Sequence, residues 1–190
     1  MTKIKWVPIA AGAILLVGIA GAAELAGVSM PDQQTVDGQL LTINGLGLRE
    51  ASFLKVDVYV GGLYLEEGST DPKQILSSEQ VKRIDMHFVY KKVDRKKITK
   101  AWVDGLKANA ETDFDALRDS LERLNSWMEE MVKGDSMSFT SRPGAGLEVV
   151  VKNEVKGVID DEKFSREFWT IFLGPEPPNE GLKQGMLGLE

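Results

Sequence analysis

Residues 45–68 read GLGLREASFLKVDVYVGGLYLEEG. Most of the stretch is made of residues that favour strands, yet it carries one arginine, two tyrosines and five glycines. Aliphatic side chains would serve a sheet core better than Arg49 and Tyr59 do. The pattern predicts strands over residues 39–46 and 53–66, joined by a short connection around Arg49 to Ser52. On one continuous strand, the step from Arg49 to Tyr59 would span about 33 Å. Only a hairpin near residues 50–52 or a strong bend can therefore bring the two together, and even a tight hairpin is expected to leave Tyr59 some way down the second strand.

Further along, RIDMHFVY (83–90) alternates as a half-buried strand does, with Ile84, Met86, Phe88 and Tyr90 on one side and Arg83, Asp85 and His87 on the other. Before it, a short helical turn is expected from Asp71 to Leu76. The period then changes. Ile98, Ala101, Trp102, Gly105, Leu106 and Asn109 recur at helical spacing behind Asp94 as N-cap. A second helix is expected from Asp113, with Phe114, Leu117, Leu121, Leu124, Met128 and Met131 on one stripe. Strands return at 136–141 and 146–158, turned by RPGAG and by Lys152 to Glu154. Asp160 or Asp161 opens a helix bearing Phe164, Phe168, Ile171 and Phe172; GPEPP breaks it, and a last helix runs from about Asn179 to Met186. Runs of strands alternating with runs of helices predict an α+β fold: a large antiparallel sheet backed by helices.

At 190 residues and 43% hydrophobic content, the chain suits one domain plus a terminal segment. Lys3 and Lys5 precede an uncharged run from Trp6 to Ala23 that ends in small residues, with Gly21 and Ala23 at signal-peptidase spacing. A signal peptide over 1–23, cut after Ala23, and a single domain over 24–190 are expected, hence a periplasmic protein without stable membrane association. The alternative is an anchor formed by residues 6–23, a run long enough to span a bilayer and weakened by Pro8 and its glycines. The absence of cysteine excludes disulfides, thiolate catalysis and a lipid-modified N-terminal cysteine. Without Lys3 and Lys5, 21 basic and 29 acidic residues remain, a charge of −8 that disfavours nucleic acid.

Hydrolase, zinc-protease and phosphate-loop motifs are missing, so no catalytic residue, metal ligand or cofactor is assigned. His87 shares a strand face with Arg83 and Asp85, as a surface or sheet-packing histidine does. Lys91, Lys92, Arg95, Lys96, Lys97 and Lys100 crowd the start of a helix, where cations oppose the macrodipole. They read either as a solvated face or as a surface for anions or lipid headgroups. Trp102 and Trp169 sit on apolar stripes and pack a core, or line a cavity if the core contains one.

Taken together, LTINGLGLRE, KVDVYVGGLYLEE, AWVDGLKAN, FTSRPGAGLEVVVKNEVKGVID and FWTIFLGPEPPNEGLKQGMLG resemble the bacterial members of the chalcone isomerase-like family, from about Gly38 to Leu189. The resemblance implies an open-faced β-sandwich with a cleft between sheet and helices. That family includes plant enzymes that cyclise chalcones and non-catalytic relatives that bind fatty acids. In both, an arginine after the first strand meets the anionic end of the ligand, which implies that role for Arg49. A hydroxyl-bearing residue on the next strand implies Tyr59 as its companion, while Tyr64 matches a structural position. The enzymes' tyrosine and asparagine near the first long helix fall at Asp94 and Ala101, which cannot take those roles.

Three functions follow as expectations. The first is a non-catalytic binder of a small apolar carboxylate such as a fatty acid, using Arg49, Tyr59 and Trp102. The second is an isomerase or lyase acting on an α,β-unsaturated carbonyl. The third is an envelope interaction module whose cleft is filled by its own side chains.

Overall fold

The computed structural model describes residues 21–51 and 55–189. Eleven strands and six α-helices occupy that span. The strands are β1 (Ala22–Leu25), β2 (Val28–Pro31), β3 (Gln33–Val36), β4 (Gln39–Ala51), β5 (Val56–Leu65), β6 (Lys82–Phe88), β7 (Lys92–Val93), β8 (Met131–Val132), β9 (Ser136–Arg142), β10 (Gly146–Val151) and β11 (Glu154–Ile159). The helices are α1 (Pro72–Ser77), α2 (Arg95–Asn109), α3 (Arg118–Trp127), α4 (Glu162–Phe168), α5 (Thr170–Leu173) and α6 (Glu180–Met186). Seven strands form one antiparallel sheet in the order β11-β10-β9-β6-β5-β4-β3. This is the α+β architecture expected from the sequence. The predicted signal peptide lies, but for its last three residues, outside the described residues.

One sheet face carries the main core. Leu63, Ile84, Met86, Phe88 and Phe139 on that face meet Trp102 and Leu106 of α2, Leu121 and Leu124 of α3, and Phe168 and Phe172 of α4 and α5. The alternation expected in β6 is present, with Ile84, Met86 and Phe88 buried and Arg83, Asp85 and His87 only partly so. On the opposite face Tyr64 is buried with Leu41, Val36 and Val81, and its hydroxyl donates to the Pro31 carbonyl at 2.9 Å. That bond fastens the end of the β1–β2 ribbon across the sheet, a structural role for Tyr64.

The glycines of the opening stretch have a packing reason. A Cβ on Gly47 would lie 2.1 Å from the Leu182 carbonyl oxygen, one on Gly45 would lie 2.1 Å from that of Gly185, and one on Gly185 would lie 2.2 Å from that of Leu46. Helix α6 therefore rests its backbone directly on β4, a separation only glycine permits. Asn44, an extra residue in β4 relative to β5, locks the contact by donating to the Met186 carbonyl at 2.8 Å and the Ser69 carbonyl at 3.0 Å.

Two expectations need correction, and the first three strands were not foreseen. Strand β4 runs to Ala51, so Arg49 lies within a paired strand and not in the connection. The helix expected from Asp113 begins as a 3-10 turn (Phe114–Leu117) and ends at Trp127; Met128 and Met131 are still buried, but Met131 enters β8, which pairs with β7. Strands β1 to β3 are too short for periodicity to reveal, although their Ala26-Gly27 and Asp37-Gly38 turns, with φ of 48°, 75°, 49° and 85°, are hairpin dipeptides.

The close seat of α6 predicts that Gly47→Ala lowers stability by about 1 to 3 kcal/mol, as overpacking does, and Trp102→Ala by about 3 to 5 kcal/mol, as loss of a buried aromatic does. Chemical denaturation measures both. An unchanged midpoint for either would show that the α6 seat, or the aromatic core, is not as described.

Candidate functional site

The hairpin between β4 and β5 brings Arg49 directly opposite Tyr59. Below this pair the register runs regularly through Leu48–Val60, Gly47–Gly61 and Leu46–Gly62. Above it, Glu50 faces Asp57, so Val58 is an extra residue on β5. The carbonyl of Val58 accepts hydrogen bonds from both Val89 (3.0 Å) and Tyr90 (3.1 Å), which holds the bulge in place. Directly opposed residues in an antiparallel pair share a face. Arg49 and Tyr59 therefore project together onto the core side of the sheet, beside Gly47 and Gly61.

Along this face the covering changes. Leu182 and Met186 of α6 lie over Gly47 and Gly61. At Arg49 and Tyr59 that cover ends, and a cleft of about 580 Å³ opens between the sheet and α2. Its volume falls in the range of small-molecule sites, about 300 to 1,000 Å³. The walls are mostly apolar: Val56 and Val58 from β5, Met86 and Phe88 from β6, and Ile98 and Trp102 from α2. Ala101 and Ala108 give α2 a small-residue flank on the cleft, and Gly105 lets Ile171 of α5 pack close, 2.7 Å from where a Cβ would lie. Beyond them, Asn109 holds the loop after α5 by accepting from the Glu176 amide at 2.7 Å and donating to its carbonyl at 2.9 Å.

All three residues singled out from the sequence, Arg49, Tyr59 and Trp102, border this one cleft. Arg49 is half-buried; its guanidinium donates to the Glu50 carbonyl and makes no ion pair among the described residues. Tyr59 is 8% exposed and packs at 5.5 Å against Phe88. Burial raises the Tyr59 phenol well above its ordinary value, and the nearby charge of Arg49 partly opposes the rise. The phenol is therefore a neutral donor beside a cation. Trp102, 3% exposed, also belongs to the aromatic core, at 5.6 Å from Phe139 and 6.0 Å from Phe172. Met86 also lines the cleft, whereas Met128 and Met131 are core residues.

Lys97 and Asp104 of α2, Lys92 of β7, and Glu176 complete the charged rim. Lys92 is held by Glu130 at 2.6 Å and Asp104 by Lys100. Asp94 does not border the cleft, and Ala101 presents only a methyl group. Sequence reasoning missed Val58, because the strand pattern gave no sign of the bulge there; it singled out Lys92 and Lys97 in the basic cluster without linking them to the cleft. The site pairs a guanidinium with a neutral phenol at one polar end of an apolar cleft, a geometry suited to a carboxylate or enolate bearing an apolar body.

A wide antiparallel sheet backed by helices, with a cleft between the two layers, defines the class. A family model described as chalcone isomerase-like matches residues 22–188, and the chain belongs to that family. The crystal structure of a fatty-acid binding protein from Arabidopsis thaliana is similar in fold, with a TM-score of 0.69 at 18% identity, over 88% of this chain and 96% of that one. No curated protein matches the sequence.

The two buried phenols predict the alkaline behaviour. Burial pushes Tyr64 up to about 12 and raises Tyr59 as well, whereas an unfolded tyrosine ionises near pH 10. Their contribution is intact below pH about 10 and is lost as pH rises from there through the folded values. In denaturant titrations between pH about 9 and 12, Tyr59→Phe should flatten the fall in stability. An unaltered slope would show that Tyr59 ionises as freely in the fold as in the unfolded chain.

Proposed function

We propose that this protein is a non-catalytic binder of an apolar carboxylate such as a fatty acid, held with its head at Arg49 and Tyr59 and its tail along Val58, Phe88, Ile98 and Trp102. The observation that carries the reading is a guanidinium without an acidic partner among the described residues, set opposite a buried neutral phenol at the edge of an apolar cleft of about 580 Å³. A bidentate arginine matches a carboxylate, and the phenol adds a third donor. The similar Arabidopsis protein is described as a fatty-acid binding protein, which supports the reading. The open cleft argues against a module that fills it with its own side chains. Isomerase chemistry would need donors where this chain has Asp94, off the cleft, and Ala101.

Substitution separates binding from folding. Arg49→Ala should leave stability within about 1 kcal/mol of wild type and weaken palmitate binding, by calorimetry, by about 1.5 to 3 kcal/mol. Arg49→Lys should restore part of the loss, because lysine lacks the two parallel donors. Tyr59→Phe should lose less than Arg49→Ala, since it removes one neutral donor and keeps the ring. If Arg49→Ala unfolds the protein while palmitate is held as tightly as before, Arg49 is structural and the reading fails.

The proposal extends to place. The short cationic start, the apolar run and the small residues before Glu24 support export and cleavage after Ala23, with binding in the periplasm. Such a cut would leave only the Glu24–Ser29 and Leu25–Val28 pairs of the β1–β2 ribbon, removing Ala22–Pro31 and Ala23–Met30. N-terminal sequencing of protein from the periplasmic fraction should return Glu24 or a close neighbour. Met1 or Thr2 would favour the anchor over residues 6–23.

A further inference from the structure

We propose that the cationic rim formed by β7 and the start of α2 is a docking surface for an anionic lipid bilayer, at which the cleft loads and releases its ligand. The nature of the cargo rests on the function proposed above; the docking does not.

Residues 91–100 hold six cations, Lys91, Lys92, Arg95, Lys96, Lys97 and Lys100, and one acid, Asp94. This stretch is charged +5 in a chain of net charge −6, so the remainder carries −11. All six cations are exposed. Three have partners: Lys92 pairs with Glu130 and Asp94, Lys100 with Asp104, and Arg95 donates to the Asn125 carbonyl at 2.9 Å. Lys91, Lys96 and Lys97 make no ion pair among the described residues. Asp94 caps α2 by position only, without a side-chain bond to its first turn. Cations therefore stand uncompensated at the positive end of the helix dipole, an arrangement unfavourable to the helix itself.

Their position relative to the cleft separates this patch from an ordinary solvated face. Lys92 and Lys97 are themselves part of the cleft lining, so the cationic surface reaches the opening, where Asp104, paired with Lys100, and Glu176 are the acids of the rim. Pairing of Lys92 with Val132 sets the 39% exposed Val132, followed by the exposed Lys133, along the same border. An apolar acid partitions into bilayers and is scarce in water, so exchange is fastest where the opening faces a membrane. Clustered lysines are drawn to anionic headgroups within about a Debye length, while the acidic remainder of the chain is repelled, which orients the opening toward the lipid.

The test compares vesicles of equal parts phosphatidylglycerol and phosphatidylcholine with vesicles of phosphatidylcholine alone, using the full chain and its Lys91→Glu/Lys96→Glu variant. Neither substituted residue lines the cleft. The readout is the ratio of the two vesicle affinities, in which any contribution of the apolar N-terminal run cancels between the two proteins. Wild type should prefer the anionic vesicles by about tenfold or more at low salt, and the preference should collapse in the variant. Palmitate affinity in vesicle-free solution should stay within about twofold for the variant, which also shows that it is folded. A Lys91→Gln/Lys96→Gln variant should fall between the two. A wild-type ratio near one, or a ratio unchanged by charge reversal, would overturn the proposal. Displacement from the vesicles by short duplex DNA at equal phosphate concentration would overturn it as well, since the patch would then be a general polyanion site. Loss of palmitate binding to wild type with vesicle preference intact would defeat the cargo and leave the docking standing.

Discussion

The site depends on one extra residue. With a regular β4–β5 hairpin drawn back from the pairs Ala51–Val56 and Glu50–Asp57, Arg49 would face Val58, and Tyr59 would point to the opposite side of the sheet. A one-residue slip exchanges the two faces of a strand. The bulge at Val58 makes that slip locally, turning Tyr59 onto the face of Arg49 while leaving the hairpin end in its own register. The second bulge, at Asn44, shifts the register again at the far end of the same strand pair. Between the two bulges lies the segment on which both α6 and the cleft depend.

Within that segment side-chain size decides what lies above the sheet. Gly45 and Gly47 admit α6 to backbone contact, and Gly61 makes room for the Met186 and Leu182 side chains. Two residues on, Arg49 and Tyr59 are too large for a helix to lie so close, and the space above them becomes the cleft. The placement also limits the electrostatic penalty of a cation near the core. Arg49 is only half-buried, and its single bond to the Glu50 carbonyl leaves most of its donors available. Tyr59, neutral at ordinary pH, is kept so into the alkaline range by burial, and the pair offers one charge and one uncharged donor.

Much of this could be read from the sequence, for a physical reason. Ile98, Trp102 and Leu106 recur at helical spacing because α2 buries one stripe, and Ile84, Met86 and Phe88 alternate because β6 buries one face. Those periods survive translation from chain to fold. The approach of Arg49 to Tyr59 does not, because a bulge adds no composition or period of its own: Val58 looks like any strand valine. The hairpin was therefore anticipated, but the expectation that Tyr59 would lie some way down the second strand is overturned, since the two residues are direct partners. Similarly, Met128 and Met131 keep the helical period of α3 beyond its end, because the chain leaves the helix but stays against the same core. Asp37-Gly38, a hairpin dipeptide left unread in the sequence, marks the turn between β3 and β4.

The proposed reading of the cleft as a binding site rests on where its polar groups lie. Catalysis on a carbonyl requires groups placed around the reacting atoms that stabilise charge as it develops. Here the polar groups gather at one end, and the face of α2 that borders the cleft offers Ala101, Gly105 and Ala108, which can donate nothing from their side chains. The remaining charges, Lys92, Lys97, Asp104 and Glu176, lie on the rim, where solvent weakens their fields. On the proposed reading a ligand would be fixed by its head and sheltered along its body; Trp102, whose indole N–H has no partner among the described residues, and Tyr90 are the further polar side chains in the lining. On that reading the residues that look out of place in a strand would supply specificity through one anion, and the apolar surface beside them would supply affinity.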